Sequence, residues 1–226
     1  MNQYPTEHQK AWKGVGMEGW IARSYARTRR KDIDQFRGEA RKVAEHLPAG
    51  AGVLEVAPGP GFFSVELAKL GNFKLTGLDV SRTFIGIAQE NARAEGVTVD
   101  FRFGSASAMP FPGESFDFVY CSAAFKNFSE PVKALDEMHR VLRPGGEAMI
   151  VDLAREVPVK AIQDYVAQSG RSGFESWMMK QTLRWLQRRA YTEAEFSRMA
   201  EESRFGGCKI SMGAIGFEVR LMKQKA

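Results

Sequence analysis

With 226 residues, 44% hydrophobic and 26% charged, and a formal charge of +5, the chain has the balance of a soluble globular protein and the length of one large domain with small additions. Its apolar runs fall far short of the roughly 20 residues that a bilayer crossing needs, and the start MNQYPTEHQKAWKG has no apolar core of the kind a secretion signal carries, so a cytoplasmic protein without a membrane span is expected. Cys121 and Cys208 stand apart from any CxxC or Cys/His cluster, which excludes a disulfide framework and leaves no metal site to propose.

The first periodic segment runs from Asp32 to Leu47, where Ile33, Phe36, Ala40, Val43, Ala44 and Leu47 recur at helical spacing and Pro48-Ala49-Gly50 ends the run. Before it lies a basic stretch, Arg27-Thr28-Arg29-Arg30-Lys31; a second surrounds Arg184, Arg188 and Arg189. Acidic residues are interspersed in both, which reads as solvated helix faces, with an anionic substrate or RNA as the competing reading. Val53 to Val56 forms a short buried strand, Phe63 to Leu70 a helix, and Phe73 to Asp79 a second strand. A helix follows over Arg82–Glu95, then strands at Val97–Phe103 and Phe116–Cys121. The helix from about Pro131 to Leu142 stops at Arg143-Pro144-Gly145-Gly146, a strong terminator, and Glu147–Leu153 is strand-like again.

Strands alternating with helices imply right-handed crossovers and a doubly wound, mostly parallel α/β sheet. The end differs, because Lys209–Met212 and Gly216–Met222 are separated by hairpin spacing, so an antiparallel C-terminal hairpin closes a sheet of seven strands. Between Leu153 and that hairpin lie helical segments that include Phe174–Ala190 and a capping-box pattern at Thr192-Glu193-Ala194-Glu195. This exceeds one crossover helix. Residues 32–157 and 191–226 are therefore assigned to a ligand-binding domain, 158–190 to an inserted helical cap and 1–31 to an N-terminal lid. Cap and lid would lie over the carboxyl ends of the strands, where open α/β sheets bind ligands.

The loop Leu54-Glu55-Val56-Ala57-Pro58-Gly59-Pro60-Gly61-Phe62-Phe63 leads from strand to helix like a nucleotide-binding turn. A phosphate cradle needs convergent backbone N–H groups, and Pro58 and Pro60 have none. Walker-type spacing is absent, and Ser64 stands where GxGxxG requires its third glycine. ATP and NAD are disfavoured; a nucleoside without phosphate suits the glycines better.

Glu55-x-Ala57-x-Gly59-x-Gly61 after a strand resembles the acidic-x-Gly-x-Gly-x-Gly motif of class I S-adenosylmethionine-dependent methyltransferases, with alanine for the first glycine. Leu78-Asp79-Val80-Ser81, the stretch Gly104 to Pro112 with Ser115-Phe116-Asp117, and Leu135 to Gly146 match the family in order, and together resemble its small-molecule, quinone-methyltransferase-like branch. The resemblance covers about residues 45–155 and implies a Rossmann-like methyltransferase fold with S-adenosylmethionine as cofactor. By this analogy Asp79, followed by Val80 and Ser81, accepts the ribose hydroxyls, and Glu55 supports the loop and the methionine end. Ala57, Pro58, Gly59 and Gly61 form the backbone wall, and Ser105-Ala106 stands where an Asp-Ala pair usually grips the adenine amino group. The carbonyl at Cys121 faces the ammonium, and Tyr25, in Ala22-Arg23-Ser24-Tyr25-Ala26, closes over the cofactor.

Methyl transfer from a sulfonium is an in-line displacement that positioning and desolvation can accelerate. The histidines are His8, His46 and His139, and the last two fall on helices outside the expected pocket. Phe125-Lys126-Asn127-Phe128 follows the fourth strand where relatives often place acceptor-facing histidines, so Lys126 and Asn127 are the catalytic candidates, Lys126 as an anion contact or a base; the competing reading is a solvated loop. Trp12, Met17, Trp20, Phe174, Trp177, Met178, Met179 and Trp185 would line a pocket for a small hydrophobic or aromatic acceptor, or form ordinary core. An [Asn/Asp]-Pro-Pro-[Tyr/Phe] motif is absent, which argues against nucleic acid as partner. Two rivals stand beside a small-molecule methyltransferase: an S-adenosylmethionine-binding regulatory or scaffold protein without turnover, and an RNA-modifying methyltransferase.

Overall fold

The computed structural model describes residues 12–13, 16–171 and 173–225; of the expected lid at residues 1–31, residues 1–11, 14 and 15, including His8, lie outside the described residues. Helix α1 (Gly19–Arg29) passes through a 3-10 turn into α2 (Ile33–Ala44), and the alternation then begins: β1 (Gly52–Val56), α3 (Phe62–Ala68), β2 (Lys74–Asp79), α4 (Arg82–Ala94) and β3 (Asp100–Phe103). It continues with β4 (Phe116–Ser122), α5 (Pro131–Val141), β5 (Leu142–Leu153), α6 (Val159–Gln168), α7 (Gly173–Gln187), α8 (Glu193–Glu202), β6 (Lys209–Met212) and β7 (Gly216–Met222). The seven strands form one sheet in the order β3-β2-β1-β4-β5-β7-β6. β1 to β5 run parallel, and β7 enters antiparallel to both β5 and β6. The chain winds outward from β1 to β3, then returns to β4 and winds the other way. The crevice between the carboxyl ends of β1 and β4 is therefore the topological switch point.

Both faces of the sheet are covered, as a parallel sheet requires. One face carries Leu54, Val119, Ile150 and Phe217 against Leu135, Met138 and Phe196; the other carries Val53, Phe118 and Tyr120 against Val43, Phe63 and Leu67. Phe63 stacks on Tyr120 with ring centroids 4.0 Å apart. Two boundaries depart from the sequence expectation. β3 starts at Asp100 because Gly96, at φ +66°, reverses the chain after α4 and residues 97–99 complete that reversal. β5 starts at Leu142, the last residue of the expected helix, and runs through the expected terminator: Arg143 to Gly146 end the helix yet continue the sheet, with Gly145 N–H donating to Lys223 C=O and Lys223 N–H to Gly146 C=O, each at 2.9 Å.

α6 and α7 leave the sheet after β5 and meet the N-terminal helices through two ion pairs, Lys31–Glu175 at 2.6 Å and Arg171–Asp32. Chain residues Trp12 and Lys13 pair with the turn after β4, where Lys13 N–H donates to Asn127 C=O at 2.6 Å.

Candidate functional site

Three residues of the loop after β1 have left-handed backbone: Ala57 (φ +58°), Gly59 (+54°) and Gly61 (+75°). Gly61 caps α3, and a Cβ there would lie 2.8 Å from both Ala88 Cβ and Phe101 Cζ, so only glycine fits. Ala57 bears a conformational cost of about 1–2 kcal/mol and is held by its N–H donating to Leu78 C=O at 2.8 Å. Buried Asn91 on α4 fixes the other end of the loop, donating to Pro60 C=O at 2.9 Å while its Oδ1 accepts from Arg30 at 2.7 Å.

Two carboxylates flank this loop. Glu55, buried in β1, accepts from Ser64 N–H at 3.2 Å and from the Ser64 hydroxyl. Burial pushes its carboxyl up to about 7 against these hydrogen bonds. Asp79, buried at the carboxyl end of β2, accepts from Gly59 N–H at 3.0 Å and Ser81 N–H at 2.8 Å, and burial pushes its carboxyl up to about 6. A buried acid with a raised pKa holds its proton more tightly folded than unfolded. Its stabilisation is complete below the unfolded value and is lost as pH rises through the folded one. For Glu55 that window runs from 4.5 to about 7. We expect the ligand-free protein to lose about 3 kcal/mol across it, seen as a falling melting temperature between pH 5 and pH 8. Glu55→Gln should flatten the fall; an unchanged slope would assign it to other groups.

Val80 is half-buried, and Ser81 serves the fold: it caps α4, accepting from Phe84 N–H at 3.0 Å, and its hydroxyl donates to Met17 C=O at 2.6 Å. Beside it Glu18 accepts from Arg82 N–H at 2.9 Å, Thr83 N–H at 3.1 Å and the Thr83 hydroxyl. Burial opposes the ionisation of Glu18, but these bonds outweigh it and hold the carboxyl below its ordinary value. The latched segment feeds α1, which brings Tyr25 over the loop: a Cβ at Gly59 would meet Tyr25 Cε1 at 4.0 Å, and Tyr25 packs edge-on against Phe84.

In the loop that leaves β3, Ser105 Oγ accepts from Ser107 N–H at 3.2 Å and lies 3.0 Å from Ser107 Oγ, which donates to Glu130 at 3.1 Å. If Ser105 donates to Ser107, one lone pair remains on it for a ligand amino group. Ala106 packs against the main core. The Cys121 side chain is fully buried at the end of β4, and burial pushes its thiol well up, so its thiolate is disfavoured. Ala123 then takes left-handed backbone (φ +57°), so β1 and β4 each lead into an alanine in that conformation.

Lys126 departs from the solvated-loop reading of its motif. Its side chain is buried, not solvated, and its ammonium donates to Asp152 Oδ1 at 2.7 Å and to Ala123 C=O, while its N–H donates to Asp152 Oδ2 at 2.9 Å. Those contacts tie the turn after β4 to the end of β5. Asn127 is half-buried beside it. The basic run is also largely committed internally: Arg29 pairs with Asp32, Arg30 with Asn91 and Lys31 with Glu175. His139 lines a surface cavity of about 670 Å³ with Gly113, Glu114, Arg140, Arg204 and Lys223, at the amino-terminal ends of the strands and away from the loop.

Asp152, Glu18 and Asn91 were not singled out from sequence. Asp152 carried a usable signal, a lone carboxylate in the apolar strand Met149-Ile150-Val151-Asp152-Leu153, which burial would force to find a partner. The donor set fits a nucleoside: among the described residues Asp79 accepts from Gly59 and Ser81 N–H groups and keeps acceptor capacity beyond them, and at Gly59 no side chain separates the loop from Tyr25.

Comparison with known proteins agrees with this geometry. The family model described as a methyltransferase domain matches residues 54–150. The demethylmenaquinone methyltransferase of Deinococcus radiodurans is 34% identical over 117 residues, 51% of this chain and 48% of that protein; the chain thus spans about half the length of the curated relatives it matches. Among solved structures, a SAM-dependent methyltransferase from Aquifex aeolicus superposes with a TM-score of 0.61 at 23% identity, covering 81% of this chain and 89% of its own. The plantazolicin methyltransferase BpumL, solved with a monoazolic desmethylPZN analogue and SAH, gives 0.69 at 16% identity, covering 90% and 89%. At these identities the two structures speak for the fold.

Proposed function

We propose, from the match of residues 54–150 to the methyltransferase-domain model and the likeness to demethylmenaquinone methyltransferases, that the chain is a class I S-adenosylmethionine-dependent methyltransferase that transfers a methyl group to a small, hydrophobic or aromatic acceptor. The observation that carries the reading is Asp79: a buried carboxylate at the carboxyl end of β2, held by Gly59 and Ser81 N–H groups, with free acceptor capacity beside a loop from which prolines have removed phosphate donors. When bound, the cofactor supplies an electrophilic methyl group on a sulfonium. Asp79 would hold its ribose, Ser105 its adenine amino group, and the Gly59–Gly61 backbone and the Cys121 carbonyl its methionyl end, with Tyr25 closing over it.

The chain's own part in the chemistry is positioning and exclusion of water. The two left-handed alanines and the Lys126–Asp152 pair set the walls of the crevice, and Lys126 orients the turn that bears Asn127. The likeness to demethylmenaquinone methyltransferases makes a reduced, ring-bearing quinol the first acceptor to try. Incubation with S-adenosylmethionine and soluble naphthoquinol analogues should yield methylated product and S-adenosylhomocysteine in equal amounts. Tight S-adenosylhomocysteine binding without turnover on any ring-bearing acceptor would favour the binding protein without catalysis, and absence of binding would remove both readings.

A further inference from the structure

Helix α7 has no buried residue. Its inward side chains Met179 and Leu183 pack partly against the main core, yet its other side is apolar too: Phe174, Trp177, Met178 and Trp185 are 73%, 55%, 45% and 48% exposed. These positions are not the ordinary core that their helical spacing suggests. Phe174 and Trp177 stack on one another at 5.8 Å, and Arg189 lies over the Trp185 ring at 4.1 Å. A helix apolar on both sides calls for a cover on its outer face.

The charges say what kind. Arg184 and Arg188 fall on the aromatic side by helical spacing, Lys180 is adjacent, and among the described residues none of the three has an ion-pair partner. The one acidic residue of α7, Glu175, is committed to Lys31. A second copy would set these cations against themselves across a two-fold axis, which is repulsive. An anionic lipid headgroup layer meets both needs, with cations at the phosphates and tryptophan and phenylalanine at the boundary with the acyl chains. No helix of the described residues is long and apolar enough to cross a membrane, so such contact would be interfacial.

We propose that the outer face of α7 is a docking surface for an anionic lipid bilayer. The test is sedimentation of the full chain with vesicles containing about one quarter phosphatidylglycerol in phosphatidylcholine, beside pure phosphatidylcholine. The chain should pellet with the first and weakly with the second. Trp177→Ser/Trp185→Ser and Arg184→Glu/Arg188→Glu should each lower partitioning roughly tenfold or more, with unchanged melting temperature and unchanged affinity for S-adenosylhomocysteine. Failure of the wild type to pellet with anionic vesicles, or equal pelleting by both variants, overturns the proposal. So does a concentration-dependent dimer that the tryptophan pair abolishes while vesicle binding is absent. Cofactor affinity is read separately, so a failed methyltransferase reading and a failed membrane reading are distinguishable.

Discussion

Asp79→Ala is expected to weaken S-adenosylhomocysteine binding by about 100-fold, because charge-assisted bonds to two ribose hydroxyls contribute about 1.5–3 kcal/mol each and water recovers part of the loss. The same substitution withdraws the acceptor from Gly59 and Ser81 N–H groups, so the loop after β1 loses its tie to β2. Asp79→Asn separates the two effects. It keeps a carbonyl oxygen for one backbone donor but removes the charge, and should lower affinity by roughly tenfold with little change in melting temperature. Calorimetric titration with thermal unfolding of both variants is the measurement. Equal affinity of wild type and Asp79→Ala would mean that the ribose lies elsewhere.

The second large effect concerns Lys126 and Asp152, whose side chains are 3% and 2% exposed. Removing one partner leaves a charge without its counterion in the core, and such breaks cost about 3–5 kcal/mol. Lys126→Met should therefore destabilise on that scale in urea denaturation. Asp152→Asn alone should be comparably harmful, since it leaves the ammonium unpaired. The double variant removes both charges and retains a carbonyl acceptor for one of the two N–H groups, of residue 126 and of Leu153, that Asp152 now serves through its two oxygens, so it should recover at least half of the summed loss. Strict additivity would show that the pair is not coupled. The cycle also bears on mechanism, for a lysine that anchors a turn changes stability and geometry first, whereas a proton acceptor changes the pH profile of turnover.

What was legible in the sequence was what lies close along the chain. The glycine loop, the carboxylate ending β2 and the capping box at Thr192 and Glu195 are patterns written in a few consecutive residues, although the bond that joins the first two, Gly59 to Asp79, spans 20 positions. The hairpin was legible for the same reason. The site's supports were hidden by distance: Lys126 and Asp152 are 26 residues apart, Asn91 and Arg30 are 61 apart, and Glu18 reaches Arg82 across 64. Only the fold makes them neighbours. The terminator at Arg143–Gly146 shows another limit, since residues that stop a helix also suit the edge of a strand, and pairing with Lys223 decided the matter. In α7 the spacing indicated an apolar helix, but both its sides are apolar, and periodicity cannot say which one faces the core.

The latch formed by Glu18 has a bearing on which nucleosides the crevice can accept. The N-terminus of a helix attracts anions, and α4 begins directly after Asp79, where a phosphorylated ribose would place its phosphate. There the chain has installed its own anion: Glu18 already takes the N–H groups of Arg82 and Thr83. A 2′- or 3′-phosphate would find those donors filled and two carboxylates facing it. At the loop after β1 proline removes two donors, and at the start of α4 an internal carboxylate occupies two, so both helix entrances disfavour phosphate by different chemistry, and Asp79, in the role proposed for it, would keep its acceptor for a ribose with free hydroxyls.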